Sequence, residues 1–202
     1  MATTPSSMTT PTTDFESFTR YFESQFGTAL HDETHTQRHA PTVFRDTRDP
    51  FQARYDLDTK LPRPLREEAE GMDWGLFMAT YAPAPTLHIG LTSTEKLSWL
   101  ENRYTAAITE LFKTRAAHTS TAEVTATGPA AAVSAMLNGH GRYVEMLSFH
   151  QIELYEATVT CVEVAHQVDH TRRRWAIGFG PSPAHSVAAA LSSGAQRIYG
   201  NL

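Results

Sequence analysis

Apolar residues are almost absent from residues 1–13, a Ser/Thr/Pro tract that reads as a disordered leader. From Asp14, a candidate N-cap, the pattern changes. Phe15, Phe18, Phe22 and Phe26 recur at helical spacing and predict an amphipathic helix with one strongly apolar face. Residues 29–50 lose that periodicity and are rich in His, Thr and Arg, the character of a linker or of an excursion over the surface. Across residues 48–71, Pro50, Pro62 and Pro64 leave room for at most one turn of helix.

From Trp74 the apolar positions become dense. The run WGLFMATYA has strand composition, Pro83-Ala84-Pro85 ends it, and TLHIGLT is its expected hairpin partner. Thr92 and Glu95 have the spacing of a capping box. Behind them Leu97, Leu100, Tyr104, Ile108 and Leu111 predict a helix running to about Arg115. STAEVTAT reads as a strand that runs into Gly128-Pro129 and opens the Ala-rich helix AAAVSAML, closed by Asn138-Gly139. Two long β-type runs follow, RYVEMLSFHQIEL and ATVTCVEVAHQV, then a polar turn at residues 169–173 and the strand WAIGFG. Pro181-Ser182-Pro183 then opens a terminal helix with Val187, Ala190, Leu191, Gly194 and Ile198 on one face. A strand running through Gly-Pro into an Ala-rich helix thus occurs twice, at Gly128 and at Gly180. The repeat predicts an α+β fold of two strand-strand-strand-helix units related by pseudo-twofold symmetry, antiparallel sheet packed on helices, with the N-terminal amphipathic helix in addition. The expected organisation is a leader at 1–13, a helix and linker-like segment at 14–71 and a folded domain at 72–202.

Composition narrows the function. A chain of 202 residues suits one domain with appendages, and 41% hydrophobic residues suffice for a core without disulfide or metal staples. The net charge of −5 argues against nucleic-acid binding, which needs a basic surface. A single cysteine, Cys161, excludes an intramolecular disulfide. No apolar run approaches the eighteen or so residues of a membrane span, and the leader lacks the basic start and apolar stretch of a secretory signal. A cytoplasmic protein is expected, without membrane or nucleic-acid partners.

Residues 124–199 carry further pieces in a fixed order: TATGPAAAVSAML, Gly141 after that helix, the strand VEMLSF, and WAIGFGPSPAHSVAAALSSGAQRI. Together they resemble the C-terminal regulatory (LeuA dimer) domain of α-isopropylmalate synthases and of the related homocitrate and citramalate synthases. That family has a glycine-rich turn before an Ala-rich helix, a V-x-V-L-x-Y strand, and WGVG before its last helix. DFESFTRYFESQF is similar in pattern to the family's linker helix, and LPRPLREE to a stretch of that linker, although here it follows the helix. The resemblance implies an amino-acid-sensing dimerisation domain without the catalytic barrel, which needs around 250 residues. Leucine or a related amino acid would bind near helix N-termini, where free N–H groups and a partial positive charge meet a carboxylate. By positional match the ligand-binding residues would be Thr127, Gly128, Pro129, Ala130, Ala131, Met146 and Phe149. The implied partners are a second copy or an α-isopropylmalate or homocitrate synthase.

The departures lie around the same site. Val124 and Ala126 stand where the family has glycines, and Thr127 where it has Asn. An acidic loop that closes over the family's ligand is reduced to Tyr155-Glu156-Ala157, and Glu153 takes the place of a small pocket residue, where it would repel a ligand carboxylate. These substitutions leave open a sensor of another small metabolite, such as one with a cationic group.

Other residue types invite chemistry and have plainer readings beside it. His31, His35 and His39 recur every four residues, but HDETH lacks the Glu of H-E-x-x-H, so neither a metal nor a cofactor is expected. His150 and Glu153 could form an acid/base pair, yet their odd spacing in one strand points them to opposite faces. No catalytic residues are assigned. Cys161, between strand valines, reads as a buried structural thiol, Arg172-Arg173-Arg174 as a solvated turn, and Trp175 as packing.

Overall fold

A computed structural model describes residues 49–200. Three short helices come first. Asp49 caps α1 (Pro50–Tyr55) by accepting from Gln52 N at 2.7 Å, and its other oxygen accepts from Leu61 N, which ties the approach to α2 (Arg63–Glu68). Prolines at the starts of both helices fit the first turn, where a missing N–H costs nothing. Residues 49–71 therefore hold two helices of six residues each, more than the single turn expected for this stretch. The run WGLFMATY is a third helix, α3 (Trp74–Tyr81), and not a strand. Asp73 caps it at Leu76 N, and Phe77 and Tyr81, four residues apart, point inward.

Two antiparallel three-stranded sheets follow, each closed by a helix. The first contains β1 (Leu87–Lys96), β2 (Asn102–Glu110) and β3 (His118–Ala126), in that spatial order, and leads into α4 (Pro129–Gly139). The second contains β4 (Val144–Glu153), β5 (Thr158–His166) and β6 (Arg173–Gly180), and leads into α5 (Pro183–Tyr199). The β-β-β-α unit is present twice, as the repeated Gly-Pro device predicts. The helix expected at residues 92–115 is instead the end of β1, a turn and β2. Thr92 Oγ donates to Thr105 O across the hairpin, and Glu95 pairs with Arg103 at 3.0 Å, so neither residue caps a helix.

One core joins both sheets to the helices. Leu87, Ile89 and Leu91 of β1 and Tyr104, Ala106 and Ile108 of β2 alternate inward against α4 and α5. Val162, Val164 and Ala176 of the second sheet meet the same helices. Polar links reinforce the contact: Ser192 Oγ accepts from Ile89 N at 3.2 Å, and Gln196 Oε1 accepts from both the N–H and the hydroxyl of Thr86. On β6, facing α5, a Cβ on Gly178 would lie 2.6 Å from the Ala190 Cα, and one on Gly180 2.5 Å from Ser186 N. Glycine at both positions lets the helix lie directly on β6.

The other face of the second sheet carries Ile152, Val159, Cys161, Trp175 and Ile177 and is covered by Phe51, Leu61, Leu65, Ala69, Phe77 and Tyr81. Residues from Phe51 onward, expected to be linker-like, thus build a core of their own with that sheet. Trp74 stacks on Phe77 with ring centroids 5.5 Å apart. This cover explains why β5 is apolar almost throughout, being buried on both faces. The predicted helix around Phe15–Phe26 and the His31, His35 and His39 series lie outside the described residues.

Candidate functional site

The turn from β3 into α4 is built differently from its repeat. At the start of α5, the Ser182 hydroxyl caps His185 N, and the backbone at Gly180 is packed tightly against the helix. At the start of α4, Gly128 takes the N-cap position in extended conformation (φ −163°, ψ 169°), with no side-chain cap and nothing within 4 Å of where a Cβ would be. Pro129 has no N–H, so Ala130 and Ala131 carry the first-turn amides that lack an acceptor within the helix. These donors and the positive end of the helix dipole favour an anionic group.

The open turn borders a cleft of about 610 Å³. All seven residues singled out from the sequence line it: Thr127, Gly128, Pro129, Ala130 and Ala131 from the turn, and Met146 and Phe149 from β4. Met146 and Phe149 share a wall because β4 is irregular. An odd spacing of three would send them to opposite faces of a regular strand. Between Met146 and Ser148 the register shifts, so that Met146 pairs with Val164, Ser148 with Glu163 and Phe149 with Val162. The extra residue, Leu147, rephases the strand, and Val144, Met146, Phe149 and Gln151 all line the cleft. β1 has the corresponding irregularity between Leu91 and Ser93.

Sequence reasoning missed the remaining wall. Ser134 lies one helical turn beyond Ala130 and Ala131, a spacing that could have placed it. Tyr143, Val144, Glu145 and Gln151 flank the two residues already named on β4, and Pro183 and Val187 come from α5. Gln151 is held in place by donating from Nε2 to Thr160 Oγ1 and to Pro183 O, both at 3.1 Å. The wall is chiefly apolar, with a few polar groups, the usual make-up of a small-molecule site.

Glu153 is not at the cleft. It lies at the end of β4 opposite Thr158, so the expected repulsion of a ligand carboxylate from that position does not arise. The carboxylate that does border the cleft is Glu145, whose Oε2 is 3.2 Å from His170 Nδ1. His150 pairs with Cys161 on β5, and strand alternation directs it away from the face of Phe149 and Gln151. No His150–Glu153 dyad is formed.

The remaining candidates have structural partners. Cys161 is fully buried, and burial, with the Asp49 carboxylate nearby, pushes its thiol up to about 12. Arg172 donates to Ile198 O at the end of α5, a favourable place for a cation, while Arg173 Nε donates to His170 O. Trp175 is buried in the core under α1–α3, and Arg197 donates to its carbonyl. Among the described residues no group of His, Cys, Asp and Glu is placed to hold a metal, and no helix is long and apolar enough to cross a membrane. No protein-family model matches the chain, and no curated protein matches it either.

Proposed function

We propose that this chain is a non-catalytic, cytoplasmic regulatory and dimerisation protein, resembling the leucine-sensing domain of 2-isopropylmalate synthase. It acts as a homodimer or as the partner of a synthase, and its cleft takes leucine or a related amino acid. The observation that carries this reading is the asymmetry of the two repeats. One Gly-Pro helix start is capped and closed, whereas the other is uncapped and opens on a cleft with an apolar wall. An amino-acid carboxylate would meet the Ala130 and Ala131 amides, and an aliphatic side chain would lie on Met146 and Phe149.

Glu145 favours a second reading, a free sensor of a different small metabolite. A carboxylate on the cleft wall, already close to one imidazole, is suited to an ammonium or other cationic group on the ligand. A thermal-shift series with amino acids, 2-keto acids and amines, with mass measured alongside, tests both readings. A ligand at a hundred times its dissociation constant adds about 2.7 kcal/mol to stability, a shift that is readily seen. Stabilisation by leucine or another branched amino acid supports the regulatory reading, and stabilisation by amines alone supports the second. A strict monomer that no compound stabilises and that captures no synthase contradicts both.

A further inference from the structure

Thr160 lies fully buried in β5, a strand that is otherwise largely apolar, and Ser186 of α5 is fully buried beside it. Hydroxyls out of water are costly unless each is bonded. Here both are. The Thr160 and Ser186 oxygens are 2.6 Å apart, and Ser186 Oγ donates to Pro183 O at 2.9 Å. A hydroxyl has one proton, so with the Ser186 proton on Pro183 O, Thr160 must be the donor to Ser186. Thr160 Oγ1 can then only accept, and its remaining partner, 3.1 Å away, is Gln151. Pro183 O, the second partner of Gln151 at 3.1 Å, is a carbonyl oxygen and also only accepts.

This chain of donors fixes the Gln151 amide. Nε2, with its two hydrogens, must face Thr160 and Pro183, because a flipped amide would set Oε1 against two acceptors. Oε1 is therefore turned from the network and has no partner among the described residues, on a side chain that lines the cleft. The other polar side chains of the wall are less committed. The hydroxyls of Thr127, Ser134 and Tyr143 rotate and can donate or accept. Glu145, which like Oε1 only accepts when ionised, already has His170 at 3.2 Å.

We propose that Gln151 is a specificity-determining residue of the cleft: its Oε1 accepts from an N–H or O–H next to the ligand's carboxylate, so that 2-amino and 2-hydroxy acids are taken and 2-keto acids are refused. The inference rests on the amino-acid reading above. A carboxylate at the Ala130 and Ala131 amides and an alkyl chain on Met146 and Phe149 leave such a ligand one further polar group, the substituent at C2. An ammonium or a hydroxyl offers Oε1 a proton. A ketone oxygen offers it only lone pairs, and both acceptors lose water without gaining a bond. A site that pairs with a ligand N–H or O–H rejects the analogue lacking it more strongly than an apolar wall distinguishes methyl groups. Thr160 and Ser186 are positioning residues, which act on the ligand through Gln151.

The test is isothermal titration calorimetry of the full chain with leucine, 2-hydroxy-4-methylpentanoate and 4-methyl-2-oxopentanoate, which share one carbon skeleton. The natural sequence is expected to bind the first two at least ~10-fold more tightly than the third. Gln151→Met, which keeps the length and removes both polar atoms at an exposed position, is expected to bind all three alike. Thr160→Val keeps the buried shape and frees the amide to turn, so the preference should shrink in that variant too. The readout is the ratio between ligands, which damage to the cleft's shape would leave in place while weakening all three together. Circular dichroism checks the fold of both variants, and the ratio in the natural chain alone can already contradict the proposal. A natural chain that binds the keto acid as tightly as leucine, or a Gln151→Met chain that keeps the preference, overturns the role of Gln151 and leaves the amino-acid cleft standing. A natural chain that binds none of the three overturns both.

Discussion

Two glycines in equivalent strand-to-helix regions have opposite surroundings, and substitution should separate them. Gly178→Ala forces a methyl group into the backbone of α5 at Ala190, so it should cost about 3 kcal/mol, the upper end of overpacking losses. Gly128→Ala meets open space in an extended conformation, so it should lose only the N-cap preference of glycine over alanine, about 0.5 kcal/mol. Denaturant titration of the two variants checks both. Cys161 should not react with a thiol reagent in the native state, because burial holds it protonated, and it should react at the unfolding rate in denaturant. His88 adds a pH dependence. Burial lowers its pKa below the ordinary value of about 6.5, so the unfolded chain binds its proton more readily than the folded one. The neutral ring's contribution is complete above pH 6.5 and is lost as pH falls from there towards the folded pKa. His88→Gln should flatten that part of the stability profile between pH 7.5 and pH 5. Of the cleft, the Thr127–Ala131 stretch was legible because strand, Gly-Pro and helix are contiguous, and Met146 and Phe149 followed from positional resemblance. Glu145, Gln151 and Pro183 were not legible, since their placement depends on a bulge and on the approach of α5, neither of which leaves a local mark.

At the scale of elements, the sequence misled where one set of residues satisfies two periods. Tyr104 and Ile108 are four apart, as in a helix, but with Ala106 between them they also alternate as a strand, and all three are buried. Leu97, Leu100 and Leu111, which completed the helical pattern, are exposed residues in turns and loops. The opposite error occurred at residues 74–81. Apolar residues without a break suggested a strand, yet Asp73 with Phe77 and Tyr81 already has the form of an N-cap followed by an i, i+4 pair. Asp73→Ala should therefore destabilise the protein by about 1 kcal/mol, measured by chemical denaturation, whereas Asp73→Asn, whose Oδ1 can accept the same bond, should lose little. The strands and helix of the second unit are legible in the sequence because they are set off by clear punctuation: Gly141, whose φ is +68°, the turn around residue 170, and the Pro-Ser-Pro start of α5, although β6 already begins at Arg173.

For the molecule as a whole, the duplicated β-β-β-α unit is visible as a repeated Gly-Pro device, even though the stretch from the end of β1 through β2 has a helical pattern. The cover of the second sheet by α1–α3 was not visible, because Phe51, Leu61 and Leu65 are too sparse to show a period and acquire their role only from the surface they meet. The duplicated architecture also sets the two helix starts apart. One helix start is closed by Ser182 and Gly180, and its counterpart at Gly128 is open to a cleft. The most direct measurement is an amide NMR titration of the full chain with leucine, isoleucine and valine up to millimolar concentrations. If the cleft is an amino-acid site, shifts with at least one of them should concentrate on Gly128, Ala130, Ala131, Met146 and Phe149. Silence at these amides with all three, or shifts confined to the α1–α3 face, would contradict it.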